Sequence, residues 1–127
     1  MSPEEIINTF IAAIEAKQVD TAVSMTSENV SYENMPSKPI VGRDGVAKTL
    51  NSFLAPASNV DWQIVRQWSI AKTVINERLD RFQIGDGWLE LPVAGIFEID
   101  DNGQIVLWRD YFDMNSYVSQ FAELNPS

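Results

Sequence analysis

Hydrophobic positions recur every three to four residues through the first half of the chain and every second residue through most of the rest, with the change of period near Val60. In "MSPEEIINTFIAAIEAK", residues Ile6, Ile7, Phe10, Ile11 and Ile14 fall on one helical face. Ser2, Pro3 and Glu5 ahead of them form an N-cap, a proline at the first helical position and a capping-box glutamate. This spacing predicts a first helix to about Lys17. Asp20 is expected to cap a short second helix through Met25, "TSEN" to make a turn, and "VSYENM" to run extended. Gly42 to Asp44 opens a third helix, with Val46, Leu50 and Phe53 or Leu54 on one face and Pro56 just past its end.

Beyond Val60 the period-2 pattern predicts four strands, roughly 60–70, 72–84, 88–99 and 104–113. Gly85-Asp86-Gly87 and Asn102-Gly103 are hairpin signals, the second being the preferred dipeptide for a type I′ turn. The sheet is therefore mostly antiparallel. A short C-terminal helix carrying Tyr117, Phe121 and Leu124 is expected to cover one end. Helices first and a strongly curved sheet afterwards predict a single α+β domain over residues 1–127, and no repeat or linker composition divides it.

Successive strand side chains alternate between faces, so Val106, Trp108, Asp110, Phe112 and Met114 share one side of the last strand. Asp110 thus sits on an apolar face. The strand at 72–84 repeats the anomaly, with Val74, Asn76, Arg78, Asp80, Phe82 and Ile84 on one side; Val30, Tyr32 and Asn34 do the same in "VSYENM". An unpaired carboxylate in an apolar environment is costly and takes up a proton instead. If the two strands are neighbours, Arg78 can lie between Asp80 and Asp110 and offer its planar fork to both. One positive charge then serves two carboxyls, which favours holding one proton on the pair. Such a pair can donate a proton with one member and accept one with the other, as the opening of a strained ether ring by water requires. Tyr32 and Asn34 add a hydroxyl and an amide that can orient the attacking water. An ordinary structural ion pair is the competing reading for Arg78 and Asp80 alone. Arg109, Asp113, Glu77 and Arg81 lie on the opposite face, as solvated or cross-strand partners. Trp62, Trp68 and Trp88 read as packing, and Trp108 as a pocket candidate.

Composition narrows the chemistry. The chain has 18 acidic and 9 basic side chains, a net charge of -9, and neither Cys nor His. Excess negative charge repels phosphate backbones and anionic membranes, which argues against both as partners. Without His or Cys there is no Ser–His or Cys–His couple, and no metal or other cofactor is expected. No basic leader is seen, and no apolar run approaches the ~20 residues needed to span a bilayer. A cytoplasmic protein is the expectation.

Three segments together, "YENMP" (Tyr32 to Pro36), "ERLD" (Glu77 to Asp80) and "WRDYFD" (Trp108 to Asp113), resemble the limonene epoxide hydrolase family, and "GRDGV" (Gly42 to Val46) extends the likeness. The resemblance implies a cone-shaped curved sheet, with N-terminal helices covering the pocket, of the kind found in nuclear transport factor and ketosteroid isomerase, and a homodimer formed through the sheet. It implies that Tyr32 and Asn34 hold the water, Asp110 is the general base, Asp80 the general acid and Arg78 the bridge. The residues alone leave open which aspartate is the acid. It also implies a pocket wall of Phe82, Leu91, Val93 and Phe112, with Phe53, Ile14 and Trp108 as further candidates, suited to a small hydrophobic epoxide. The alternatives are an isomerase or polyketide cyclase on the same cone, or a non-enzymatic ligand-binding module.

Overall fold

Helix α1 (Pro3–Glu15) begins as its cap predicts: the Glu5 N–H donates to Ser2 Oγ at 3.1 Å and the Ser2 N–H donates to Glu5 Oε1 at 2.9 Å. In the computed structural model, which describes residues 1–125, its apolar face is buried through Ile6, Ile7, Phe10, Ile11, Ala13 and Ile14. The helix stops two residues before Lys17, which turns the chain at a positive φ of 59°. Helix α2 (Val19–Ser24) follows at once, so Asp20 lies in its first turn and Gln18 occupies the cap position without a side-chain cap bond. The expected Asp20 cap is corrected accordingly.

Strand β1 (Thr26–Met35) starts where "TSEN" had suggested a turn. Pairing outweighs local preference here: the Ile105 N–H donates to the Met25 carbonyl, and Thr26 lies in register with Ile105. A two-residue strand β2 (Ile40–Val41) pairs with β1, and helix α3 (Arg43–Leu54) buries Val46, Leu50 and Leu54. Then come β3 (Asn59–Ile70), β4 (Thr73–Ile84), β5 (Gly87–Ile99) and β6 (Ile105–Tyr111). They form one six-stranded sheet in the order β2-β1-β6-β5-β4-β3, antiparallel except where β1 meets β6. The fold is a curved, mostly antiparallel α+β cone.

One turn differs from expectation. The Asp100 to Gln104 connection is no type I′ turn, because only Gly103 has a positive φ, 79°, and its N–H bonds to the Asp100 carbonyl. The Asp100 carboxylate also accepts from the Asn102 and Gln104 N–H groups, each at 2.9 Å, and holds this longer connection. The β3–β4 hairpin turns at Ala71 with φ 52°, a left-handed residue without the usual glycine. Strand β6 ends at Tyr111. Asp113 then caps helix α4 (Met114–Leu124) by accepting from the Asn115 and Ser116 N–H groups at 3.0 and 3.3 Å. Met114, expected on the inner face of the strand, instead starts this helix and is exposed.

Helix α1 packs against β3 and α4 against β5, and Tyr117 from α4 meets Phe53 edge-on at 5.1 Å. The inner face of the sheet and the helices thus enclose the core and a pocket at one end. No described helix is long and apolar enough to cross a membrane.

Candidate active site

Lateral register determines which side chains meet inside the cone. Asn34 on β1 stands beside Asp110 on β6, Asp110 beside Gly95 on β5, and Gly95 beside Asn76 on β4. In the neighbouring rows Tyr32 stands beside Trp108, and Trp62 beside Asp80. The five polar residues singled out from sequence, Tyr32, Asn34, Arg78, Asp80 and Asp110, are all buried and converge on one place.

Arg78 is the hub. Its guanidinium donates from Nε to Asp80 Oδ1 and from Nη2 to Asp80 Oδ2, both at 3.0 Å. A second fork reaches Asp110, Nη1 to Oδ1 at 3.2 Å and Nη2 to Oδ2 at 2.9 Å. The two strands are not neighbours, and the fork reaches both carboxylates all the same. Strand β5 lies between β4 and β6, and Arg78 passes across it at Gly95. The Trp62 and Phe97 rings flank the cation, with centroids 5.1 and 5.9 Å from Cζ.

Asp80 and Asp110 then turn their remaining acceptor capacity toward a small, partly open cavity. Tyr32 and Asn34 complete its polar wall, and Phe53, Trp62, Phe82, Leu91, Val93 and Phe112 its apolar wall. Phe53 and Asn34 also border a surface groove with Ile40, Lys48 and Met114, which marks the mouth. The expected wall residues Phe82, Leu91, Val93, Phe112 and Phe53 therefore face the cavity. Ile14 and Trp108 do not. Ile14 is wholly buried in the core under α1, and Trp108 lies behind Tyr32, stacked on it at 3.9 Å with the rings 8° apart. Tyr32 thus screens Trp108 from the cavity.

Trp62 is the wall residue that sequence reasoning assigned to packing. Its signal was available only through register, since a position opposite Asp80 on the same face must border the same space.

Burial raises the pKa of Asp80 to about 6; Arg78 opposes the rise, while Asp110 and the more distant Glu15 add to it. Burial also pushes the Tyr32 hydroxyl well above its ordinary value, with the Asp110 charge reinforcing the shift, so it remains a neutral donor and acceptor. For Arg78 burial works against the charge, yet Asp110 and Asp80 outweigh it and hold the guanidinium cationic. The cavity thus combines an acid close to neutrality, a second carboxyl, and two neutral hydrogen-bonding groups. Among the described residues no group of three or more His, Cys, Asp or Glu is placed to hold a metal ion.

Known proteins share this architecture. A family model described as Limonene-1,2-epoxide hydrolase catalytic domain matches residues 1–123. Epoxide hydrolase EphG of Mycobacterium tuberculosis (strain ATCC 25618 / H37Rv) is 32% identical over 108 residues, which are 85% of this chain and 71% of that protein. The structure of an M. tuberculosis LEH-like epoxide hydrolase superposes with a TM-score of 0.78 at 28% identity, covering 94% of this chain and 89% of the other. A protein from Catenulispora acidiphila DSM 44928 with a ketosteroid isomerase-like fold, solved with trimethylamine, superposes at 0.81 with 18% identity, over 96% and 95% of the two chains. That last likeness is one of fold alone.

Proposed function

This chain belongs to the limonene-1,2-epoxide hydrolase family, and on that footing we propose that it adds water to a small hydrophobic epoxide in one step, giving a vicinal diol. The observation that carries this reading is a pair of carboxyls on one apolar cavity, joined behind by Arg78, of which Asp80 is held near pKa 6. A water hydrogen-bonded by Tyr32, Asn34 and Asp110 loses its proton to Asp110 as its oxygen attacks a ring carbon. The carbon–oxygen bond of the ring breaks, and Asp80 delivers its proton to the departing oxygen. One proton enters the pair as another leaves, so the charge of the triad is unchanged across the step. Arg78 stabilises the carboxylate on either side of that exchange.

The geometry favours this over carbon-acid isomerisation. An isomerase on this frame pairs its tyrosine with a neutral acid as an oxyanion hole, whereas here Tyr32 and Asn34 stand beside Asp110, the carboxyl read as the base. Six aromatic and aliphatic side chains line the cavity and select by shape and burial, which suits a small hydrophobic epoxide. Trp68, Ile70, Ile75 and Tyr111 are exposed on the outer face of the sheet, and this supports a homodimer formed through that face, checked by sedimentation. Catalysis is tested with Asp80→Asn and Asp110→Asn. Each is expected to abolish diol formation from cyclohexene oxide or limonene oxide while leaving a folded protein by circular dichroism. Turnover retained in either variant contradicts the mechanism.

A further inference from the structure

Arg78 has five N–H donors, and four of them serve Asp80 and Asp110. The fifth, on Nη1, donates to Asn76 Oδ1 at 3.0 Å. Asn76 is itself almost wholly buried, at 1% exposure. Its amide orientation is set from outside: Asn76 Nδ2 donates to Gln67 Oε1 at 3.0 Å, and Gln67 Nε2 donates to Asn8 Oδ1 at 2.9 Å on helix α1. The carbonyl of Asn76 therefore has to face Arg78. Opposite it, Gly95 leaves bare backbone where the guanidinium crosses β5. A Cβ there would lie 2.5 Å from Arg78 Nη1, 2.9 Å from Asn76 Oδ1 and 2.9 Å from Asp110 Oδ1.

We propose that Asn76 and Gly95 form a socket that fixes the orientation of Arg78, and so the division of its N–H donors between Asp80 and Asp110. This rests on the hydrolase reading for its consequence in catalysis, though the socket itself is a matter of geometry. Alternate strands stand roughly 9–10 Å apart, so an arginine on β4 reaches a carboxylate on β6 only where the middle strand has no side chain in the way. Once across, the planar group can swivel about its last bonds. Asn76 blocks that swivel by occupying the donor which neither carboxyl uses. Asn76 and Gly95 touch no part of the cavity, and both act through Arg78 as positioning residues.

The charged and titratable groups facing this cluster are Asp80 on β4, Asp110 on β6, Tyr32 on β1 and, through Asp80, Glu15 on α1. A carboxylate at position 76 would compete with Asp80 for the single positive charge. Asn76→Asp, nearly the same size as the native residue, is thus expected to raise the Asp80 titration by about one pH unit, read by carbon-13 NMR of the aspartate carboxyls. The high-pH limb of kcat/KM should rise with it.

Gly95→Ala should lower kcat on the order of 100-fold at little change in KM, because the carboxyls are displaced while the apolar wall is intact. If Gly95→Ala does not fold, Asn76→Asp carries the test. A merely structural role would lower thermal stability in Gly95→Ala and leave its kcat unmoved. Native Asp80 titration in Asn76→Asp overturns the proposal. The NMR titration needs no turnover, so absence of epoxide hydrolysis in the native protein would count against the function and not against the socket.

Discussion

Ionising Asp80 in its buried position should cost the native state a measurable part of its stability. The ordinary carboxyl value is 3.8 and burial raises it to about 6. That gap of about two units, at ~1.36 kcal/mol per unit, is worth about 3 kcal/mol. The sign follows from proton binding: between the two values the folded state holds more protons than the unfolded chain. The stabilisation is therefore fully present below about pH 3.8 and is lost as pH rises through about 6. Urea unfolding of the native protein and of Asp80→Asn across this window isolates the effect, because the other carboxylates titrate in both. The amide still accepts from Arg78 but cannot ionise. The stability of the native protein minus that of the variant is expected to fall by about 2.4 kcal/mol from pH 4 to pH 7. A difference that stays flat across the window would refute the burial argument. The kinetic counterpart is a kcat/KM that drops about tenfold per pH unit above about 6, as the acid of the free enzyme loses its proton.

Other outcomes follow from the same geometry. Arg78→Lys replaces two planar forks by three donors on one nitrogen, and should leave buried carboxylate oxygens unpaired. A loss of roughly 1–3 kcal/mol in unfolding free energy is expected, together with near-complete loss of turnover, checked by denaturation and diol assay. Phe53→Ala opens the mouth between α3 and α4, and kcat/KM should rise for epoxides bulkier than cyclohexene oxide relative to cyclohexene oxide itself. Its stability cost should be about 1–3 kcal/mol, since Phe53 is only partly buried against Phe82 and Tyr117.

The polar constellation was legible because a strand has period 2. Asp110, Asp80, Arg78, Tyr32 and Asn34 each broke an alternation that was otherwise apolar, and a buried break in such a pattern needs a partner. The order of strands was not legible in the same way. Nothing local in "ERLD" or "WRDYF" says that β5 lies between them, so the need for a gap at Gly95 stayed hidden; a lone glycine in "PVAGIFEI" marks a bulge, a bend or a close approach equally well. Ile14 and Trp108, further candidates for the wall, lie outside the cavity lining because facing the cavity depends on depth as well as on direction. Trp62 was overlooked for the converse reason. The turn expected at "TSEN" gave way to strand because its partner on β6 is about eighty residues away, beyond the reach of local propensity.

The central claim is that water, and not a carboxylate, attacks the epoxide. Single-turnover incubation with cyclohexene oxide or limonene oxide in oxygen-18 water, with enzyme in excess, tests it most directly. The account predicts that the diol of the first turnover carries the heavy oxygen. Unlabelled diol in that turnover, with the heavy oxygen entering Asp80 or Asp110 instead and reaching the diol only on later cycles, would mean that an ester forms and would contradict it.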